Sequence, residues 1–316
     1  MLVTADRVFG GHLYVRNGKI AAISDDGTLP AREELDAAGL YVLPGMLDCH
    51  AHINDPGFTW REDLPHASEA AAVGGVTTLI DMPLQNTPPL TSADAFANKL
   101  AVFEGRSLVD YALWGGLVTD NTAELAGMDA AGAVGFKAFI APVSLGYSSV
   151  DMGLAREALF RIKAFGGLAG FHCEDHALIC AGEAKAKAGG GTRRAFLDSR
   201  PVVAEVIATA NVIELARETG ARVHICHVSH PRVAELVRRA QADGLSVTGE
   251  TCPHYLVFTE ENLLLCGTVF KCAPPLRTAE ARDGLWEYVL DGTLSCIGSD
   301  HSPSRPDEKD EAVHGV

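Results

Sequence analysis

The pattern of hydrophobic and polar positions changes about forty residues into the chain. Before that point apolar and polar residues alternate in short pieces that Gly and Asp turns interrupt: LVTADRVF, HLYVRNGK and KIAAISDD. A period of two residues predicts strands with one buried and one exposed face. We therefore predict a small antiparallel, sandwich-like β domain over residues 1–42.

From residue 43 onward, short apolar runs alternate with segments whose apolar residues recur at helical spacing. The runs are LPGMLDCHAH, VTTLIDMP, YALWGGLV, AVGFKAFI, GLAGFH, ARVHICHV, LSVTGETC and LSCIGSD. Eight βα units predict a TIM-type (β/α)8 barrel of the α/β class over residues 43–316. Two amphipathic segments end at Gly220 and Gly244, which suit the left-handed position that closes a helix.

Composition and charge exclude several classes of protein. The 316 residues are 47% hydrophobic and 21% charged, as in an ordinary globular protein, and the formal net charge is −15. The few basic residues are scattered, so we expect no nucleic-acid partner. There is no apolar run of the ~18 residues that a membrane span needs and no signal-peptide pattern, so we predict no membrane partner and a cytoplasmic protein.

The eight cysteines are spread along the chain without a CxxC pair. Several lie in apolar, strand-like stretches, which predicts reduced, small core residues. A catalytic thiol is the alternative for any one of them. They are Cys49, Cys173, Cys180, Cys226, Cys252, Cys266, Cys272 and Cys296.

The candidate chemistry begins with His50 and His52, which stand two apart on a predicted strand and therefore point to the same face. Such a pair can bind one metal ion, or can be two hydrogen-bonded core imidazoles. Further polar residues follow four other strands: Lys137, His172, His227 and Asp300. Each alone has an ordinary structural explanation. Together, at the strand ends where barrel enzymes carry their active residues, they predict a site for two divalent ions.

The chain resembles the cyclic-amidohydrolase branch of the amidohydrolase superfamily. This branch contains dihydroorotases, hydantoinases, dihydropyrimidinases and allantoinases. The resemblance covers nearly the whole chain, and its motifs occur in family order. They are PGMLDCHAH, GGVTTLIDMP, GFKAF, HCED, SRPVVAE, HICHVS, TCPHY, KCAPPLR and GSDHSP.

The resemblance implies a ligand set. His50 and His52 would bind the more buried ion and His172 and His227 the second, while Lys137, converted by CO₂ to a carbamate, would bridge the two. A carbamate supplies an anionic oxygen to each ion, whereas a free ammonium would repel both. Imidazole and carboxylate ligands favour zinc, with manganese, cobalt or iron as alternatives.

By the same resemblance, Asp300 is also a metal ligand and the general base and then general acid. It would take the proton of a hydroxide that bridges the ions and attacks the ring amide carbon, and pass it to the departing nitrogen. The family also implies a homo-oligomer, namely a tetramer.

The substrate is expected to be a small cyclic ureide. Dihydroorotases usually carry an arginine where this chain has Asn54, and that arginine binds a substrate carboxylate that Asn54 cannot clamp. The segments from Trp60 to Asp63, DMPLQNTPP and KCAPPLR also resemble the allantoinases. We therefore predict hydrolysis of allantoin to allantoate with Asn54 in substrate binding, although Asn54 also suits a turn.

Other residues near the motifs also have expected roles. Residues 273–275 are expected to contact the ring. His254 either contacts substrate, orients a ligand or is structural, and His301 is expected to pack on the opposite strand face.

Three alternative functions stay open: a dihydroorotase, a hydantoinase or dihydropyrimidinase, and a non-catalytic dihydropyrimidinase-like scaffold protein. Family members normally continue past GSDHSP with a last barrel helix and a return to the small β domain, so we expect both to be missing from this chain. Scaffold relatives tend to lose metal ligands. All six ligands are present here, which favours a hydrolase.

Overall fold

The computed structural model describes residues 1–143 and 147–309. Contacts between Cα atoms divide the chain into two compact units, Met1–Met46 and the residues from Leu47 onward. In the first unit, β1 (Leu2–Val3) pairs antiparallel with β2 (Val8–Phe9), and β3 (His12–Arg16) pairs antiparallel with β4 (Lys19–Ser24). The antiparallel pairing matches the alternating pattern; a separate domain over residues 1–42 stays a prediction.

The second unit is built on strands that coincide with the eight apolar runs of the sequence. Its strands are β5 (Met46–Ala51), β6 (Val76–Asp81), β7 (Asp110–Leu113), β8 (Gly115–Gly116), β9 (Phe136–Phe139), β10 (Leu168–His172), β11 (Arg222–Ile225), β12 (Val247–Thr251) and β13 (Cys296–Ile297). They form one sheet in the order β5-β6-β7 and another in the order β8-β9-β10-β11-β12-β13. β8 begins one residue after β7 ends, so these two short strands together count as one strand of the barrel.

The sheet closes on itself where the first and last strands of the second unit meet. Ala51 forms a parallel bridge with His301. The amide of Asp300 donates to the carbonyl of His50 at 2.8 Å, and the amide of His52 donates to the carbonyl of His301 at 2.7 Å. The described residues therefore form a closed (β/α) barrel with eight strand positions, as predicted.

Helices of the second unit follow the strands. They are α1 (Leu64–Val73), α2 (Ala93–Phe103), α3 (Leu125–Ala130), α4 (Met152–Ala164), α5 (His176–Ala188), α6 (Arg193–Ser199), α7 (Val202–Thr219), α8 (Pro231–Ala242), α9 (Pro253–Val257), α10 (Glu260–Cys266) and α11 (Ala279–Leu290). The residues Gly220 and Gly244, just past α7 and α8, have φ angles of 65° and 80°. The left-handed helix ends predicted there are confirmed.

The longer helices α4, α7 and α8 each bury an apolar face. In α4, the residues Ala155, Ala158, Leu159 and Ile162 recur at the spacing of one helix face and are fully buried in the core. Among the described residues, no helix has the length and apolar character required to cross a membrane.

The prediction that the cysteines are reduced core residues is only partly correct. All eight are free, and Cys173, Cys226 and Cys252 are buried. Cys180 and Cys266 are exposed, so the prediction of core residues is wrong for these two. Cys180 lies on α5 and Cys266 ends α10, and both helices have a solvent-facing side that the apolar composition of their segments did not reveal.

A fully buried ion pair holds the chain just past the His50–His52 strand. Lys99 of α2 pairs with Asp81 at the end of β6. The Lys99 ammonium also donates to the carbonyl of Ile53 at 2.9 Å, and the Asp81 carboxylate accepts from the amide of Ile53 at 2.6 Å. Both charges are therefore paired, and both backbone groups of Ile53 are fixed one residue after His52.

We predict that Lys99→Met lowers the free energy of unfolding by roughly 3–5 kcal/mol, because it leaves the Asp81 charge buried and unpaired. Chemical denaturation measures the change. The matched control is Arg156→Met, which removes an exposed pair with Glu218 and is expected to have a much smaller effect. If the two variants lowered the free energy of unfolding equally, burial of the Lys99–Asp81 pair would not determine its contribution to stability.

Candidate metal centre

All six side chains predicted as ligands line a single cavity of about 780 Å³. They come from five barrel strands. Lys137 lies within β9, and the other five lie near the carboxyl ends of their strands or just after them: His50, His52, His172, His227 and Asp300. Parallel strands of a closed barrel present their carboxyl ends at one rim, which is why residues so distant in sequence meet.

Two of these residues have an unusual backbone. His227 and Asp300 have φ angles of 39° and 51°, in the left-handed region that non-glycine residues rarely adopt. Hydrogen bonds hold both: Asp300 donates to the carbonyl of His50, and the amide of His227 donates to Glu250 at 3.2 Å. Strain of this kind, of order 1–3 kcal/mol per residue, persists at sites where side-chain direction matters.

His50, His52 and Asp300 form the first group of possible ligands. Asp300 Oδ1 lies 3.2 Å from Nε2 of His50 and 3.2 Å from Nε2 of His52. Ligand atoms about 2.0–2.2 Å from a zinc ion are separated by roughly 3.3 Å at tetrahedral angles. The three atoms therefore have the spacing of ligands that share one ion.

His172 and His227 form the second group. His172 Nδ1 lies 3.1 Å from His227 Nε2, again close to the separation of two ligands on one ion. Burial, reinforced by the charge of Lys137, holds the pKa of both imidazoles well below the ordinary value. Burial lowers the pKa of His52 as well. Neutral imidazoles are the form of histidine that binds metal.

Lys137 lies among these imidazoles. Its side chain is fully buried, and its Nζ has no hydrogen-bond partner within the described ranges. Its charge acts on His50, His52, His172 and His227 alike. An unpaired buried ammonium is costly. A modification that converts this amine to an anion would remove the cost and fits a position between the two groups.

Two carboxylates fix the orientation of the histidines. Glu250 of β12 accepts a hydrogen bond from Nδ1 of His50, which leaves Nε2 for Asp300 and an ion. Glu174 contacts His172 Nε2 at 2.7 Å, which leaves Nδ1 facing His227, and Arg200 holds Glu174 at 2.5 Å. The sequence analysis missed both glutamates, although they lie in its motifs TGETC and HCED.

The charges around His50 and Asp300 support a cation there. Burial opposes a charge on His50, but Glu250 and Asp300 outweigh burial and raise the pKa of His50 well above the ordinary value. Burial also opposes ionisation of Asp300, yet the charge of His50 and hydrogen bonds from His50 and His52 hold the pKa of Asp300 well below its usual range. Asp300 is thus held as a carboxylate at neutral pH.

Only some of the residues predicted to contact substrate line the cavity. Ala273 and His254 line the cavity, whereas Pro274 and Pro275 are not among its lining residues. Asn54 is fully buried, is not among the lining residues, and has no side-chain hydrogen bond with any described residue. Its role in substrate binding stays a prediction.

The packing role expected for His301 is wrong. Its side chain is exposed and not packed in the core. Its Nε2 lies 2.7 Å from the carboxylate of Glu62. Gln85, which the sequence analysis also missed, lines the cavity and accepts a hydrogen bond from Ser302 at 3.0 Å. Gln85 lies inside the motif DMPLQNTPP. The motif is visible in the sequence, but it does not indicate that the side chain of Gln85 faces the cavity.

The chain is similar to known proteins over most of its length. A model of dihydro-orotase-like proteins matches residues 39–232. The allantoinase of Deinococcus radiodurans is 38% identical over 311 residues, which are 98% of this chain and 69% of that protein. The chain belongs to the dihydro-orotase-like family. The allantoinase of Escherichia coli K12 is 39% identical over 304 residues, covering 94% of this chain and 67% of that enzyme.

Solved structures of the family agree. An L-hydantoinase (dihydropyrimidinase) from Arthrobacter aurescens superposes with a TM-score of 0.95 at 37% identity, covering all of this chain and 70% of that one. Dihydropyrimidinase from Brevibacillus agri gives a TM-score of 0.89 at 28% identity, covering 99% of this chain and 69% of that one. The family consists of metal-dependent amidohydrolases, and the grouped donors of His50, His52 and Asp300 fit such a role.

We predict that Glu250→Gln weakens metal retention by about 10–100-fold, because the amide no longer holds the Nδ1 proton of His50 with a full charge. Metal content after dialysis against a graded series of chelator concentrations measures the change. The control is Glu214→Gln, an exposed glutamate of α7. Retention unchanged in Glu250→Gln would contradict an orienting role for this carboxylate.

Proposed function

We propose that the protein hydrolyses the ring amide of allantoin to give allantoate, with a metal centre at His50, His52, Lys137, His172, His227 and Asp300. The single observation that carries the proposal is the cavity that these six residues line together. The allantoinases of several bacteria, at 38–41% identity over nearly the whole chain, support the choice of substrate. A scaffold protein would have no need of six converging donors.

Polar side chains near the centre can bind a ureide. Gln85, Ser302 and Ser304 line the cavity with amide and hydroxyl groups, which can both donate to and accept from the ureide groups of allantoin. Phe139 and Leu84 line apolar parts of the same wall. Charged side chains line it as well, namely Glu183, Arg200, Lys271 and Lys309, and Arg200 is paired with Glu174 and Glu183.

In the proposed reaction, Asp300 manages the proton. Its carboxylate accepts the proton of the attacking water as the oxygen bonds to the ring carbonyl carbon. It then donates that proton to the ring nitrogen as the carbon–nitrogen bond breaks. The low pKa of Asp300 supplies the base form at neutral pH. His50 and His52 hold the carboxylate in place through its Oδ1.

The fit of the donors supports a pair of divalent ions, with zinc as the first candidate. When bound, two such ions polarise the ring carbonyl and lower the pKa of the attacking water toward neutrality. Lys137 would hold both as a carbamate, which forms when its amine adds CO₂ and releases a proton. The unpartnered, buried Nζ supports this modification. A homotetramer, implied by the family resemblance, and a cytoplasmic location, predicted from the sequence pattern, are further parts of the proposal.

We predict that allantoin gives the highest kcat/KM in a panel with dihydroorotate, hydantoin and dihydrouracil, by at least about tenfold. The assay uses protein supplied with zinc and bicarbonate. A highest value for dihydroorotate or dihydrouracil would refute the substrate while leaving the metal centre possible. Hydantoin is the competitor that the Arthrobacter aurescens structure favours.

We predict that Lys137→Ala lowers kcat/KM for allantoin by at least about 10²–10³-fold and reduces the bound metal, because the bridging anion is lost. Metal analysis and initial rates measure both effects. The control is Lys185→Ala, an exposed lysine of α5. Full activity and unchanged metal content in Lys137→Ala would refute a bridged pair of ions.

A further inference from the structure

A second cluster of possible metal ligands lies beside the histidine centre, on three neighbouring strand positions. Cys49 is on β5, Glu250 on β12 and Cys296 on β13, and one donor atom from each lies within 4.8 Å of the other two. The thiol of Cys49 donates to Glu250 Oε2 at 3.2 Å. Glu250 and Cys296 are partners in the register of β12 and β13.

A histidine contacts the same carboxylate oxygen. Nε2 of His224, on β11, lies 3.4 Å from Glu250 Oε2. Its other ring nitrogen, Nδ1, lies 2.8 Å from the hydroxyl of Thr248, which fixes the direction of the ring. The clustered donors are therefore two sulfur atoms and one carboxylate oxygen, and His224 is a partner of that carboxylate.

The separations within the cluster suit ligands of one ion. Zinc binds sulfur at about 2.3 Å and nitrogen or oxygen at about 2.0–2.2 Å, so its ligand atoms lie roughly 3.3–3.8 Å apart. The separation of Cys49 Sγ from Glu250 Oε2, at 3.2 Å, is close to this range. Gly298 packs closely against the cluster, since a Cβ at this residue would lie 2.7 Å from His50 Cβ and 3.0 Å from Glu250 Oε2.

We propose that Cys49, Cys296 and Glu250 form a separate site for one thiophilic divalent ion of the zinc and cadmium class, with His224 as the neighbour that orients the Glu250 carboxylate. On binding, both thiols release their protons to solvent and the ion forms two metal–sulfur bonds. Cys49 and Cys296 are partly exposed, so an ion can reach them from solvent. The donor set with sulfur differs from the histidine centre and selects softer ions.

The site is linked to the histidine centre through one carboxylate. Glu250 Oε1 contacts Nδ1 of His50 and the amide of His227, while Oε2 faces the cluster. An ion at Oε2 withdraws negative charge from the bond to His50. Excess thiophilic ion is therefore expected to inhibit hydrolysis; this consequence, unlike the site itself, rests on the proposed function.

Cadmium is the probe. Cd²⁺ is titrated into the zinc-loaded protein in a Cys180→Ser/Cys266→Ser background, which removes the two exposed thiols, and the ultraviolet charge-transfer absorption of cadmium bound to thiolate is recorded. We expect one equivalent of sulfur-bound Cd²⁺. Adding Cys49→Ser or Cys296→Ser is expected to weaken Cd²⁺ binding by more than ~10-fold, because each variant removes a direct ligand. Loss of a residue that only orients a ligand costs about that much. The matched control is Cys173→Ser, a buried cysteine outside the cluster.

A measurement on the unmodified chain covers the case in which a variant fails to fold. Cd²⁺ should protect Cys49 and Cys296 from alkylation, as mapped by mass spectrometry, and leave Cys180 and Cys266 reactive. Absence of sulfur-bound Cd²⁺, or an absorption that persists without Cys49 and Cys296, would overturn the proposal. The second result would point to Cys226, which also lies near Glu250.

The two proposals fail separately. The charge-transfer absorption and the alkylation pattern require no turnover, so a protein that hydrolyses no cyclic amide can still show the sulfur site. Conversely, activity on allantoin without any sulfur-bound Cd²⁺ would leave the proposed function intact and remove the second site.

Discussion

The closure of the barrel is the constraint on which the site depends. Two backbone hydrogen bonds join β5 to the residues after β13, from Asp300 to His50 and from His52 to His301. They bring a carboxylate near the end of the described chain against two histidines from its first barrel strand. Without this seam the donors of the first group would lie on opposite edges of an open sheet, and no single ion could contact all three.

Buried charge then determines what the rim can bind. Glu250 and Glu174 each take one nitrogen of a histidine and leave the other for the cavity, so the imidazoles present fixed faces. Carboxylates on both sides of His50 favour positive charge, while burial keeps His172 and His227 neutral. Lys137 is the exception, a buried amine without a hydrogen-bond partner among the described residues.

Glu250 also connects two parts of the barrel interior. One oxygen serves the histidine centre and the other faces Cys49 and His224. Because a carboxylate divides one negative charge between two oxygens, anything bound on one side changes what the other side provides. The same residue thus orients a proposed ligand and links it to a cluster of different chemistry.

The barrel and the candidate ligands could be predicted from the sequence. Runs of apolar residues with polar ends predict parallel strands, and the His50–His52 pair with Lys137, His172, His227 and Asp300 follows from position on those strands. Which atoms face one another depends on the folded structure. The roles of Glu250 and Glu174, the burial of Asn54 away from the cavity lining, and the exposure of Gln85 depend on strand neighbours and loop paths. Hydrophobic periodicity is local, whereas contacts across a closed barrel join residues up to about 250 positions apart, such as Asp48 and Ser299.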